Sequence, residues 1–385
     1  MLRRAKDFVL DIVQQADLVL LTLCCATTAF GVLMIASASH YMGRSDSLKL
    51  VIVQCCAALI GIVMYFVVSM IDLAELVKKW KWLTLFNIGF ILLLVTPLGD
   101  ESNGNRAWLH IPGFPVNIQP AEIVKLSFIV VLAGQLVWLK QNRDLKSIRS
   151  VAFLGAHLLV IIGLYYKVSG DMGSALVYVF IFVCMAFAAG VAARWFILGG
   201  AAAGIGFFLL WEEDLIPEYM KMRFQVLFDH TLDVRGVGWH QTRSLLALGG
   251  GGFTGQGLFH GTQTQSPYSG SLPFRHTDFI FSVIGEELGL LGCMAAIGLL
   301  VAIIIRCLMV AKRAQSQLES YICVGMAAML LFQVIINVGM CMFVMPVIGL
   351  TLPFFSYGGS SIVTVFLAMG MVSGIQKRSR PEWLQ

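Results

Sequence analysis

A chain of 385 residues, 58% of them hydrophobic and only 13% charged, with a mean hydropathy of +0.82, is too apolar for a soluble domain, where about 45–50% apolar residues is usual. The net charge of +5 comes from basic residues dispersed at the ends of apolar runs, which reads as anchoring to an anionic inner leaflet and excludes nucleic-acid binding. The nine cysteines make no Cys-x-x-Cys pair and no two of the seven histidines have metal-ligand spacing on a helix, so neither a disulfide framework nor a structural zinc site is expected.

Apolar runs long enough to cross a bilayer, roughly 17–25 residues with tilted and marginal cases counted, recur at 18–36, 50–70, 82–98, 123–139, 151–166, 175–193, 195–211, 279–305, 322–345 and 361–375. They predict a single all-α polytopic membrane domain over 1–385 with about ten spanning helices. Arg3, Arg4 and Lys6 precede the first run, which is long and has no clean small-residue cleavage site after it, so it reads as an uncleaved first span. Lys78, Lys79, Lys81, Lys140, Arg143, Lys146, Arg149, Arg306, Lys312, Arg313, Lys377, Arg378 and Arg380 then fall in alternate connections, which puts both termini on the cytoplasmic side.

With that orientation the polar material gathers outside. The first outer segment of note, 99–119, holds Asn103, Asn105, Arg106, Trp108 and His110. It leads into Gln119-Pro120-Ala121-Glu122-x-x-Lys125, where Pro120 suits a helix start and the acid and base share one helix face. Two readings stand: an ion pair that holds helices together, or a carboxylate that keeps Lys125 charged and oriented toward a lipid diphosphate. Between the fifth and sixth spans Asp171 is either the N-cap of the next helix or a further acid of the outer site.

The connection between the seventh and eighth spans, about 212–277, is far longer than the roughly 15 residues beyond which a loop is usually functional or disordered. Its apolar and aromatic content, with Phe224, Leu227, Phe228, Trp239, Leu245 and Leu246, predicts short interfacial helices. Gly250-x-Gly252-x-x-Gly255 inside it has the form of a dinucleotide fingerprint but lacks the strand and βαβ unit that motif requires. Close backbone approach at positive φ is the main reading of these glycines, and a backbone nest for a phosphate group is the alternative. Arg106, Lys221, Arg223, Arg235, Arg243 and Arg275 all lie outside against the positive-inside tendency, and together they suggest an anionic substrate.

The loop ends in Leu272-Pro273-Phe274-Arg275-His276-Thr277-Asp278-Phe279-Ile280-Phe281, followed by Glu286 and Glu287, so three acids stand at the mouth of an apolar helix. Carboxylates this close to hydrocarbon are costly and mark a functional site, with Asp278 the first candidate. Gln333 and Asn337 read as hydrogen-bond glue in the ninth span. The last outer loop, 346–360, closes on Ser356, Tyr357 and two glycines before the final span.

Asn103 to Trp108, the Gln119-to-Lys125 motif, His276-Thr277-Asp278-Phe279-Ile280-Phe281 with Glu286-Glu287-Leu288-Gly289, and Leu352-Pro353-Phe354-Phe355-Ser356-Tyr357-Gly358-Gly359-Ser360-Ser361 resemble the SEDS family of RodA, FtsW and SpoVE, in order from first span to last. Phe274 stands where that family often has Glu, Ala107 where it often has Arg, and Ser169-Gly170 where Gln-Pro is common. The resemblance implies a peptidoglycan glycosyltransferase of the bacterial cytoplasmic membrane that polymerises lipid II beside a class B penicillin-binding protein and other elongasome or divisome proteins. It implies Asp278 as the essential acid, with Glu122 and Lys125 as its charged partners. Arg106, Trp108, Asp171, Arg243, His276, Thr277, Glu286, Ser356 and Tyr357 are the expected substrate-binding or supporting residues. No organic cofactor is expected, and a divalent cation such as Mg or Mn would be held by carboxylates and substrate phosphates. The rival class is a lipid flippase or transporter, but such proteins usually gather ionisable groups near the bilayer midplane, whereas here they gather at the outer ends.

Overall fold

The computed structural model describes residues 16–102, 105–113, 117–230, 232–233, 236–268 and 271–379. The expectations resting on Arg3, Arg4, Lys6, Asn103, Arg235 and Arg380 lie outside these residues. Helices α1 (Leu18–Ser39) and α2 (Arg44–Ser69) form the first two spans. A short α3 (Leu73–Lys78) leads to α4 (Trp80–Leu92), extended by one 3-10 turn to Val95. The remaining spans are α5 (Pro120–Asn142), α6 (Ile148–Ser169), α7 (Met172–Ala189), α8 (Ala193–Glu212), α11 (Ile280–Arg313), α12 (Gln317–Cys341) and α13 (Gly359–Arg378). Among the described residues nine helices are long and apolar enough to cross a membrane, and α4 is a shorter tenth. Pro97 explains the short one, because it disfavours helix at the residue before it and cannot donate a backbone hydrogen bond.

The spans are not equally enclosed. α5, α12 and α13 are the most buried, whereas α8 has no buried residue and stands at the periphery. Two small residues let α13 lie directly on α2: a Cβ at Gly370 would fall 2.6 Å from the Tyr65 carbonyl oxygen, and one at Gly374 would fall 2.5 Å from that of Ser69. Close backbone approach of this kind replaces the hydrophobic drive that helices lack in lipid. At the opposite end from Asp278 on α11, the Arg306 guanidinium grips the buried Asp17 carboxylate at 2.8 and 3.0 Å and ties α11 to the start of α1.

The long loop contains two short helices, α9 (Glu218–Phe228) and α10 (Val237–Gly251). The 99–119 segment adds something the helical reading missed, an antiparallel hairpin of β1 (Gly99–Ser102) and β2 (Asn105–Leu109) in which Asp100 faces Trp108. An isolated bridge from Leu109 to Ile118 carries the hairpin back to the start of α5.

The glycines after α10 do structural work of a specific kind. α11 is broken at Gly289, whose φ of 66° and ψ of −162° leave the helical region. The loop fills the break: the amides of Gln256 and Gly257 donate to the Glu286 and Glu287 carbonyls at 2.9 Å each, and the amides of Leu290 and Leu291 donate to Gly252 and Phe253 at 3.0 and 3.3 Å. A Cβ at Gly289 would meet the Gly255 nitrogen at 2.4 Å, so the splice needs glycine on the helix side. The first segment of α11, 280–288, is thereby held by the loop independently of the rest of the span.

Candidate active site

Asp278 sits just before that first segment of α11, in a stretch without regular structure that turns at Phe274 through a positive φ of 46°. Three consecutive carbonyls here are held by donors from elsewhere. The Tyr357 amide donates to His276 at 2.8 Å, the Ser356 hydroxyl to Thr277 at 2.6 Å, and the Asn337 side-chain amide to Asp278 at 2.9 Å. Ser356 in turn accepts from the Leu352 amide at 2.9 Å, which fixes its rotamer. The backbone of the acid is therefore well restrained, while its carboxylate is partly open and lies beside the Thr277 hydroxyl, which itself donates to the Phe274 carbonyl at 3.3 Å.

That environment pushes the Asp278 pKa from 3.8 up to about 6. Burial is the main cause, because a charged carboxylate loses hydration among apolar neighbours, and Asp171 adds like-charge repulsion. Arg223 and the Thr277 hydroxyl pull the other way. His276 is held below its ordinary value by burial and by the charge of Arg275, so it is neutral near pH 7.

Asp171 reaches the same region from α7. It caps that helix by accepting from the Ser174 amide at 3.1 Å, and it also accepts from the Ser174 hydroxyl at 2.6 Å, Tyr165 at 3.0 Å and Gln119 at 3.4 Å. A cavity is lined by Asn105, Asp171, Tyr219, Arg223, Pro346 and Ile348, among others. The loop 346–352 is the shared wall: a Cβ at Gly173 would fall 2.4 Å from the Ile348 carbonyl oxygen, and one at Gly349 would lie 4.0 Å from a carboxylate oxygen of Asp278. Asp171 and Arg223 thus line the hollow itself, and Asp278 stands beside its 346–352 wall at Gly349.

Glu122 and Lys125 form an ion pair at 2.6 Å with side-chain exposures of 8% and 0%. Their helix begins at Gln119, which donates to Asp171, and the buried Tyr178 hydroxyl holds the Ala121 carbonyl at 3.0 Å. The pair therefore lies one helical turn inward from the acid that caps α7. Its charges are balanced within the bundle, as a buried pair must be to avoid a large desolvation cost.

The other expected residues divide. His276, Thr277, Ser356 and Tyr357 are brought together around Asp278, three of them through main-chain atoms. Arg106 folds onto its own hairpin toward the Gly99 carbonyl at 3.4 Å, Trp108 is held in the strand opposite Asp100, and Arg243 stacks over Trp239 at 3.9 Å. Glu286 is spent on the loop: its carboxylate accepts from the Thr262 hydroxyl, the Gln263 amide, and the Thr264 amide and hydroxyl at 2.6–3.1 Å. Glu287 accepts from Ser37 at 2.5 Å and Gln265 at 2.8 Å. Asn105, Arg223 and Asn337 enter the site instead. A basic residue outside was the available signal for Arg223, but the two carbonyls that Asn337 holds, Asp278 and Leu350, lie in other segments of the chain.

The family model described as "Cell cycle protein", FTSW_RODA_SPOVE, matches residues 17–381. A relative from Trichlorobacter lovleyi named "Probable peptidoglycan glycosyltransferase FtsW" is 34% identical over 366 residues, spanning 93% of this chain and 92% of its own. The peptidoglycan glycosyltransferase MrdB of Escherichia coli K12 is 33% identical over 289 residues, 74% of each chain. Among solved structures, a chain from a peptidoglycan synthase complex described as coordinating polymerization and crosslinking superposes with a TM-score of 0.80 at 27% identity, covering 95% of this chain and 99% of that one. The crystal structure of RodA from Thermus thermophilus gives a TM-score of 0.68 at 25% identity, covering 95% and 98%.

Proposed function

This chain belongs to the FtsW/RodA/SpoVE family, and we propose that Asp278 is the general base of its peptidoglycan glycosyltransferase reaction. The reaction joins lipid II units: an acceptor sugar hydroxyl attacks the anomeric carbon of a donor sugar carried on a polyprenyl diphosphate. An α-linked donor that yields a β-linked product inverts, and one displacement needs a base to take the hydroxyl proton but no carboxylate nucleophile. The observation that carries this assignment is the environment of Asp278. Its backbone is clamped, its carboxylate is left to one neighbouring hydroxyl, and burial brings its pKa to about 6, close to the pH at which it must accept a proton.

The leaving diphosphate needs positive charge more than a proton. Arg223, on the cavity wall, is placed to meet it, and Lys125, kept charged by Glu122, adds its field from within the bundle. Asp171 holds the hydroxyl and amide donors that shape the opposite wall. Among the described residues no group of three His, Cys, Asp or Glu side chains gathers to hold a metal ion. A Mg or Mn ion would be held chiefly by the diphosphate oxygens and would offset the leaving charge.

The protein works in the cytoplasmic membrane with both ends inside, beside a class B penicillin-binding protein that crosslinks the strands it makes. Support for a partner comes from the peptidoglycan synthase complex that this fold resembles. Purified protein in detergent, with no compartments present, is expected to elongate lipid II, with the cognate partner and a chelator as added arms. Movement of lipid II in vesicles without any glycan product would instead favour the flippase.

A further inference from the structure

We propose that Asn337, a residue of the ninth span, is the positioning residue that sets Asp278 at its working distance from the loop 346–352; this rests on the reading of Asp278 as base. Asn337 is completely buried on α12, and its Nδ2 donates to two carbonyls, Asp278 at 2.9 Å and Leu350 at 2.8 Å. Those carbonyls belong to the two sides of the site. One is the main chain of the acid, and the other follows Gly349, whose missing Cβ would lie 4.0 Å from an Asp278 carboxylate oxygen. A single planar amide thus fixes the gap between the acid and the wall it faces.

The orientation of that amide follows from its surroundings. Nδ2 has two acceptors, whereas Oδ1 is buried without a hydrogen-bond partner. Turning the group over would press Oδ1 against two carbonyl oxygens, so the donor must face the site. A residue serving only to join helices would be expected to spend both ends of its amide on the neighbouring helix. Asn337 spends its donor on two loop carbonyls. Because an aspartate carboxylate stands only two side-chain torsions from its backbone, pinning the backbone carbonyl pins the base. Displacement of a reacting group by about 1 Å can cost roughly 100-fold in rate.

The test uses the full chain, purified in detergent with its partner and assayed with lipid II, as wild type, Asn337→Ala and Asn337→Asp. The aspartate keeps the shape but turns acceptor oxygens toward both carbonyls. Expected for the folded fraction of either variant is a fall in kcat of tenfold or more, KM within about twofold of wild type, and an acid limb of the pH–rate profile moved from its wild-type position. Wild-type kcat with an unmoved limb overturns the proposal. So does a loss of rate that follows loss of folded protein in both variants, which would make Asn337 a stability residue only. Asp278→Asn assayed alongside separates the two readings: if it polymerises lipid II at the wild-type rate the base assignment fails, whereas an Asp278→Asn reduced roughly 100-fold or more beside fully active Asn337 variants defeats this inference alone.

Discussion

Asp278 and Glu286 lie at the same end of the same broken helix, both carboxylates, the first partly open and the second fully buried, and they are held in opposite ways. Glu286 has four hydrogen bonds on its two carboxylate oxygens and none of its bonding capacity points into the hollow. Asp278 has its backbone gripped and its carboxylate left to Thr277. A satisfied carboxylate stabilises a loop, and one raised in pKa and short of donors is ready to take a proton. With Asp278 read as the base, the difference teaches that the count of donors around an acid, and not its place beside the helix end, separates chemistry from architecture in this molecule.

That contrast can be broken or sharpened by substitution. Asp278→Asn is expected to lower the rate of lipid II polymerisation by roughly 10²–10⁴-fold or more, the usual worth of a general base, while thermal unfolding followed in detergent stays near wild type. Lys125→Ala leaves Glu122 buried without its partner, and the expected cost is about 3–5 kcal/mol of stability, read as a fall in unfolding temperature together with lost activity. Exchange of the residues at 122 and 125 separates the two roles: restored stability without restored polymerisation would assign Lys125 to the chemistry as well as to the pair. Glu286→Gln turns an NH₂ toward donors that need an acceptor, and is expected to cost roughly 1.5–3 kcal/mol. Hydrogen exchange should rise in residues 260–265 of this variant, with the rate per folded molecule close to wild type; a collapse of that rate would place Glu286 with Asp278 after all.

Much of this was legible in the chain. Long apolar runs fix spans because lipid offers no alternative partner to the backbone, so each expected segment overlaps a helix, though some ends differ by six to eight residues, as at Arg44 and Arg313. Asp278 was legible for the same reason, as an acid at a hydrocarbon boundary. The hairpin at 99–109 was not, because its strands are short and polar and its pairing depends on the bulge between Asp100 and Ser102. Nor could the glycine run 249–257 be assigned its place: its partner is the break at Gly289, which reads in sequence as one more small residue in a helix. Glu286 stood beside Asp278 as an expected site residue because periodicity reports which face a side chain takes and says nothing of how many loop amides will meet it. Asn337 looked like helix glue because its two acceptors come from segments far apart in the chain.

The most direct test is the pH dependence of lipid II polymerisation by wild type and by Asp278→Asn. Burial holds the Asp278 carboxyl above its ordinary value, so the base form accumulates only as pH rises through about 6. The same shift makes Asp278's contribution to folding stability fully present below pH 3.8 and lost as pH rises through about 6, opposite in sign to the rate. The expected profile for wild type falls about tenfold per unit below pH 6 and levels above it, and the residual rate of Asp278→Asn lacks that limb. A limb that persists unchanged in Asp278→Asn would contradict the assignment of Asp278 as the base.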